Sequence, residues 1–186
     1  MKKIIVNTLI AIIVVHGLSA FGLAVPLDAL PVPTDTLVRI KSAINTGGSG
    51  KCLDVAGGLT GTGTPIVQFG CHQGVNQVFW FQRFGSQYII KSALNPDMCV
   101  GISNNVHANA NELVRLVPCR LRNYDVPLGV RWTINNNQGL IQFQAVSPSV
   151  DRRNTCIDVG NGSHADSLWM QLYYCHTGSN QRWTLN

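Results

Sequence analysis

Hydrophobic positions along this chain fall in short alternating runs, separated by polar stretches rich in glycine and asparagine. Ile40-Lys41-Ser42-Ala43-Ile44-Asn45 and Ile90-Lys91-Ser92-Ala93-Leu94-Asn95 are the same pattern fifty positions apart, and Phe143-Gln144-Ala145-Val146-Ser147-Pro148 is a looser third version. Each predicts a strand that ends in a turn. A second set of strands surrounds a cysteine: Cys52-Leu53-Asp54-Val55, Cys99-Val100-Gly101-Ile102 and Cys156-Ile157-Asp158-Val159. A third set leads into another cysteine: Ile66-Val67-Gln68-Phe69, Val114-Arg115-Leu116-Val117 and Met170-Gln171-Leu172-Tyr173. A fourth is short and aromatic: Phe79-Trp80-Phe81, Trp132-Thr133-Ile134 and Trp183-Thr184-Leu185. Beyond the N-terminal leader no stretch holds an apolar period of 3.6 residues, so no helix is predicted. Four strands in each of three units, twelve in all, make an all-β chain.

The cysteines keep the same time. Cys52 and Cys71, Cys99 and Cys119, and Cys156 and Cys175 are 19, 20 and 19 positions apart. After each pair comes a short signature: Gln77-Val78-Phe79, Val130-Arg131-Trp132 and Gln181-Arg182-Trp183. One unit is therefore written three times, over about 37–84, 85–136 and 137–186, and a period near fifty decides the fold ahead of any local propensity. Six cysteines allow fifteen disulfide pairings. The repeat leaves one, in which each pair closes its own unit, and each such loop stabilises by roughly 3 kcal/mol in the chain-entropy model. Cys71-His72 and Cys175-His176 look like metal ligands, but repeat two has Arg120 at this position and no Cys-x-x-Cys pair exists. Neither a metal nor a cofactor is expected.

The leader changes the picture of where the chain acts. Lys2 and Lys3 precede an apolar run from Ile4 to Val15, followed by the small residues Gly17, Ser19, Ala20, Gly22 and Ala24. That is the pattern of a secretory signal peptide over residues 1–24, cleaved after Ala24, with Ala20 the rival site. The run is too short to span a bilayer comfortably, so no stable membrane insertion is expected. Pro26, Pro31 and Pro33 then make residues 25–36 a stiff, unfolded linker, and the folded domain is expected over 37–186. Secretion fits the even cysteine count. Only 12% of residues are charged, and losing Lys2 and Lys3 takes the formal +5 to about +3. The remaining positives are scattered, with no basic stripe for nucleic acid.

These residues resemble the ricin B-type lectin family, whose units carry a Gln-x-Trp signature and fold as a β-trefoil; carbohydrate-binding modules of family 13 are similar. The resemblance spans about Leu37 to Asn186. It is most specific in repeat three, where Cys156-Ile157-Asp158-Val159, Cys175 and Asn180-Gln181-Arg182-Trp183 occur in order. Repeat one departs with Phe79 in place of Trp, and repeat two with Val130 in place of Gln. The resemblance implies a β-trefoil with pseudo-threefold symmetry, the rings of Phe79, Trp132 and Trp183 meeting near its axis. It also implies glycan binding.

Comparing the repeats separates structure from chemistry. Two residues after the first cysteine stand Asp54, Gly101 and Asp158. Two before the second cysteine stand Phe69, Val117 and Tyr173. One before the signature Gln position stand Asn76, Gly129 and Asn180. Repeats one and three share a carboxylate, an aromatic ring and an amide; repeat two lacks all three but keeps its cysteines and Trp132. A pyranose has one face of C–H groups, which packs on a ring, and a rim of hydroxyls, which need paired donors and acceptors. In the family these positions form a shallow galactose-type pocket, and Gln171 occupies a position that often completes it, where repeat one has Val67. Asp54, Phe69 and Asn76 are thus one candidate site, and Asp158, Gln171, Tyr173 and Asn180 another, with the third repeat expected to bind more tightly. Asp158→Ala is expected to abolish binding there with the thermal midpoint nearly unaltered.

No hydrolase, metalloprotease or phosphate-loop motif is present. Glycoside hydrolysis needs two carboxylates in one site, and Asp54 and Asp158 belong to different repeats. His107 and His164 fall in polar loops and are expected to be solvated. The expected partners are glycans or glycoproteins, and the family often accompanies a hydrolase or toxin subunit, which would here be a separate partner. The alternative is a trefoil that binds a protein target, as a protease inhibitor or a signalling factor does. Asn161-Gly162-Ser163 is a glycosylation sequon in the loop after Asp158-Val159, so a glycan on Asn161 would stand beside the third pocket.

Overall fold

The computed structural model describes residues 32–44, 48, 50–103, 107–120, 125–137 and 139–186. The expected signal peptide and most of the proline-rich stretch lie outside the described residues.

Thirteen strands form one antiparallel sheet. They are β1 (Leu37–Val38), β2 (Ile40–Ser42), β3 (Lys51–Val55), β4 (Ile66–Gly70), β5 (Phe79–Phe84), β6 (Gln87–Ser92) and β7 (Asn95–Gly101). After them come β8 (Arg115–Pro118), β9 (Arg131–Asn137), β10 (Leu140–Ala145), β11 (Thr155–Val159), β12 (Leu168–Tyr174) and β13 (Trp183–Leu185). The count exceeds twelve because the first strand breaks at Arg39. Arg39 exchanges backbone hydrogen bonds with Asn186 at 2.8 and 3.0 Å, so the two halves pair with different neighbours. β1 pairs with β5, and β2 with β13. The run β1-β5-β6-β9-β10-β13-β2 therefore closes into a barrel. This leaves the barrel no free edge.

Three hairpins, β3–β4, β7–β8 and β11–β12, cap one end of the barrel. They are joined by the β12–β4 pairing and by bridges from Pro65 to Arg115 and from Leu113 to Gln171. This is the β-trefoil expected from the resemblance. The three disulfides pair Cys52 with Cys71, Cys99 with Cys119 and Cys156 with Cys175, one in each hairpin cap.

The strand alternation sends one side chain in two inward, and these fill a single core. Phe79, Trp132 and Trp183 are all buried within it. Its ring contacts, however, run through Phe143, which stacks on Phe81 at 5.9 Å and meets Trp183 at 6.4 Å. The Trp132 indole donates to the Val100 carbonyl at 3.0 Å. Residues 32–36, expected to be an unfolded lead-in, lie against β5. Val32 is 8% exposed and belongs to the core. Thr34 bridges Phe81, and the Asp35 amide donates to the Phe81 carbonyl at 3.1 Å. Proline stiffens this segment in an extended form, and the free backbone of β5 accepts it.

Candidate functional site

Each cap hairpin builds its site by register. Asp54 lies opposite Val67, and Cys52 opposite Phe69. Asp158 lies opposite Gln171, and Cys156 opposite Tyr173. Partners and residues two apart share a sheet face. The ring therefore stands over the disulfide and beside the carboxylate in both repeats.

The segment after the second cysteine folds onto that carboxylate. In repeat one it is Cys71-His72-Gln73-Gly74-Val75-Asn76-Gln77; in repeat three, Cys175-His176-Thr177-Gly178-Ser179-Asn180-Gln181. Both end in one turn of 3₁₀ helix, Val75–Gln77 and Ser179–Gln181. The glycine that opens the turn is forced by crowding. A Cβ on Gly74 would lie 2.4 Å from Asn76 Oδ1 and 2.6 Å from the His72 ring, and one on Gly178 would meet Asn180 Oδ1 at 2.6 Å.

Three side chains then converge on Asp54 and four on Asp158. Asn76 Nδ2 donates to both Asp54 oxygens at 2.8 Å, and Gln77 Nε2 to Oδ2 at 2.9 Å. His72 Nε2 is 3.2 Å from the same Oδ2. Its Nδ1 accepts the Gly74 amide at 2.9 Å, so the ring proton sits on Nε2 and points at the acid. In repeat three Asn180 donates to Asp158 Oδ2 at 2.7 Å and Gln181 at 3.0 Å. Gln171 reaches Oδ1 at 3.4 Å, and His176 Nε2 lies 3.6 Å from Oδ2. Each acid's Oδ2 is crowded. Its Oδ1 keeps acceptor capacity for a hydroxyl.

Gln77 and Gln181 were expected only as parts of an aromatic signature, and His72 and His176 only as a metal lookalike. The structure places all four in the network. Both glutamines are fully buried. Besides the acid, Gln181 donates to the Tyr174 carbonyl at 3.0 Å, accepts the His176 amide at 2.9 Å and accepts Gln142 Nε2 at 3.0 Å. The signal was in the sequence: the Cys-His-x-Gly-x-Asn-Gln spacing occurs in repeats one and three and fails in repeat two. Among the described residues, no group of three metal-ligating side chains is found.

The acids form floors and the rings form walls. Asp54 and Asp158 are 3% and 2% exposed, whereas Phe69 and Tyr173 are 38% and 40% exposed. Burial pushes the Asp158 carboxyl above its ordinary value, although the hydrogen bonds from Gln181 and Gln171 and the nearby His176 act the other way. The floor in repeat three opens into a hollow of about 490 Å³, that in repeat one into about 280 Å³. Such burial overturns the expectation that Asp158→Ala leaves stability nearly unaltered. A buried Gln181 N–H would lose its partner, at a cost of about 1–3 kcal/mol.

Two further differences distinguish the hollows. Gly57 and Asn161 occupy the same left-handed turn position, at φ 62° and 55°. Asparagine tolerates that conformation, so repeat three gains a side chain on the rim of its hollow. Trp169, which no site expectation included, lines both hollows. His164 is exposed, as expected of a loop residue, whereas His107 is partly buried.

Repeat two has no such floor. Val117 and Val130 pack with Ile89, Val126 and the disulfide into a second small apolar cluster. A Cβ on Gly101 would lie 2.7 Å from the Gly129 carbonyl oxygen and 2.7 Å from Val117.

A closed barrel capped by three disulfide-bonded hairpins, two of them carrying an acid under an exposed ring, defines a β-trefoil of the lectin kind. The model of the ricin-type beta-trefoil lectin domain family matches residues 40–144 and 86–186, and the chain belongs to that family. No curated protein sequence matches it. Among solved structures, the designed threefold-symmetric protein ThreeFoil is 20% identical, with a TM-score of 0.66, over 80% of this chain and 96% of its own. The agglutinin of Rhizoctonia solani is 19% identical, with a TM-score of 0.66, over 84% and 96%. The ricin B-like lectin of Macrolepiota procera, solved with lactose, is 21% identical, with a TM-score of 0.60, over 84% and 99%. At these identities the likeness is one of fold.

Proposed function

We propose that this protein is a secreted, non-enzymatic lectin whose hollows in repeats one and three each hold a galactose-type pyranose. The observation that carries this reading is the acid–amide–glutamine–histidine network under an exposed ring, present in repeats one and three and replaced as a whole by apolar packing in repeat two. The ring takes the C–H face of the sugar, and the remaining acceptor capacity of the acid's Oδ1 with the amide beside it takes neighbouring hydroxyls. Lactose in the Macrolepiota procera lectin, within the same family, supports a galactose-type ligand. The roomier hollow with Gln171 is the tighter site. Shallow sites of this kind bind on the order of 1 mM, near −4 kcal/mol, so two on one rigid body act through avidity on a glycan-bearing surface.

The test is a glycan array together with retention on lactose-agarose and elution by free sugar. Asp54→Ala and Asp158→Ala should each lower the array signal, and the double variant should abolish it. Full signal from a folded double variant would refute the assignment. Export is carried by the leader with Lys2, Lys3 and the run from Ile4 to Val15. A mature N-terminus after Ala24 or Ala20 in a eukaryotic culture medium is the expected result. In the same sample a mass increment removed by deglycosylation would show Asn161 in use, with its glycan on the rim of the third hollow.

A further inference from the structure

Trp169 serves two hollows that belong to different repeats, and the strand registers explain how. Asp158 faces Gln171 across β11 and β12. Trp169 lies two residues along β12 from Gln171 and faces Val67 across β12 and β4. Val67 in turn faces Asp54 across β4 and β3. Every step in that path preserves the sheet face. Both acids, both pocket rings and Trp169 therefore look out from one surface. With strands about 4.8 Å apart, the acid-bearing residues stand roughly 15 Å from each other with the indole between them. That span exceeds the reach of one pyranose and is too wide for the paired carboxylates of a hydrolase, at about 5–9.5 Å.

The indole is 48% exposed, more than Phe69 or Tyr173. The trefoil itself does not ask for it, since the matching positions of repeats one and two are Pro65 and Leu113. The loop before it is nevertheless pinned across the repeat boundary. Asp166 Oδ1 accepts Lys51 Nζ at 2.6 Å and the Gly70 amide at 2.7 Å. Gln68 Nε2 donates to the carbonyls of Ser163 and Ala165 at 2.9 and 3.0 Å, and the Ser167 amide donates to the Gln68 carbonyl at 2.8 Å. A large exposed apolar ring, held in place on a surface already bearing two polar floors, is a platform for a C–H face.

We propose that the two hollows and Trp169 form one continuous site for a linear oligosaccharide, with a pyranose in each hollow and an internal sugar ring stacked on the indole. This rests on the reading of the hollows as sugar pockets. It adds that the preferred ligand is a chain, and that one chain occupies both repeats.

Isothermal titration of the mature protein with galactose, lactose and a ladder of β-linked galacto-oligosaccharides of increasing length tests it. Galactose should bind two per protein. Beyond a threshold length the stoichiometry should fall to one, with affinity raised at least tenfold, because the second contact becomes intramolecular. Trp169→Ala should remove the length-dependent gain and return the stoichiometry to two, and Trp169→Phe should keep part of the gain. Asp54→Ala should lower the long ligand to the affinity of a single hollow. Trp132 and Trp183 are at most 1% exposed, and the partly buried Trp80 lines neither hollow, so a fluorescence change that grows with chain length and vanishes in Trp169→Phe reports the platform. Two independent sites at every length, with galactose still bound, would overturn the continuous site and leave the lectin reading standing. Silence across the whole ladder, galactose included, would overturn the galactose reading and this inference with it.

Discussion

Replacing Gln181 with methionine separates the buried part of the site from its rim. Methionine keeps the length and apolar volume of the side chain, so the change is one of hydrogen bonding. Gln181 is fully buried, and no water can replace what it gives. The Tyr174 carbonyl and the His176 amide each lose their Gln181 partner, and Asp158 loses one of its donors. Gln142 keeps its second bond, to the His176 carbonyl at 2.9 Å. At about 1 kcal/mol for each neutral group and more for the ionised one, the loss comes to roughly 3–5 kcal/mol. For a domain of this size that lowers the thermal midpoint by about 10 °C. Asn180→Ala removes a donor to the same acid, but from a half-exposed position where water takes over, so about 1 kcal/mol or less is expected. Both variants should weaken sugar binding in repeat three. Only Gln181→Met should melt early, and adding Asp158→Ala to it should cost less than the two changes separately, by about 1–2 kcal/mol. Scanning calorimetry on the unaltered protein, the three single variants and the double variant decides this. A Gln181→Met midpoint no lower than that of Asn180→Ala would refute the buried network.

Acidification should switch off the third hollow before it unfolds the protein. The Asp158 carboxyl titrates above its ordinary value of 3.8, so its acceptor oxygen is lost at a pH where ordinary carboxylates remain charged. The folded state holds that proton more readily than the unfolded one, so this group favours the fold below 3.8 and loses that contribution as pH rises through its raised value. Asp151 has the opposite sign. Ser149, Tyr174 and Arg153 hold it below the carboxylate range, and its contribution disappears only when pH falls beneath 3.8. Sugar titration and circular dichroism on the same pH series should show binding lost first; simultaneous loss would count against this. Lys51→Ala removes the ion pair to Asp166, which is partly exposed, so at most about 1 kcal/mol of stability should go. Its larger effect should be on oligosaccharide binding, through the loop that holds Trp169, and unchanged affinity for long ligands would show that the loop holds without it.

How much of this was visible in the sequence follows from the range of each interaction. The hairpins, the closed-loop disulfides and the Asp–aromatic–Asn pattern all lie within about twenty residues of chain, so the repeat displays the first two three times and the last twice, and exposes what repeat two lacks. His72 and Gln77 lie in that same range and share the pattern of loss. They escaped because a Cys-His pair suggests metal and a Gln-x-Trp signature suggests packing, while the bonds that give them a role run inward to a buried acid. Trp169 is a different case. Its partner Val67 is in another repeat, and the pairing of β12 with β4 exists only once the three hairpins assemble. Local alternation also could not reveal the break at Arg39, which depends on Asn186 at the far end of the chain.

Repeat two shows why acid and glutamine must come and go together. A buried carboxylate without its glutamine is an unpaired charge, and a buried glutamine without its acid has an unmet N–H; either costs more than an apolar pair. Gly101 packed against Val117 and Val130 is the apolar solution, and it leaves no space for the polar one. Gly101→Asp should therefore fail to create a third hollow. Its Cβ alone would press on the Gly129 carbonyl at 2.7 Å and on Val130 at 3.0 Å. Crowding of that kind costs about 1–3 kcal/mol, and an acid with no glutamine beside it adds to that. The turn is also wrong, since Cys119 and Val130 are eleven positions apart where Cys71 and Gln77 are six. Exchanging residues 120–130 for the His72–Gln77 segment along with Gly101→Asp and Val117→Tyr supplies the donors, the shortened turn, the missing glutamine and the ring at once. That variant, and not Gly101→Asp alone, should raise the galactose stoichiometry above two. A third site from the single substitution would mean that the glutamine and the turn do not position the acid.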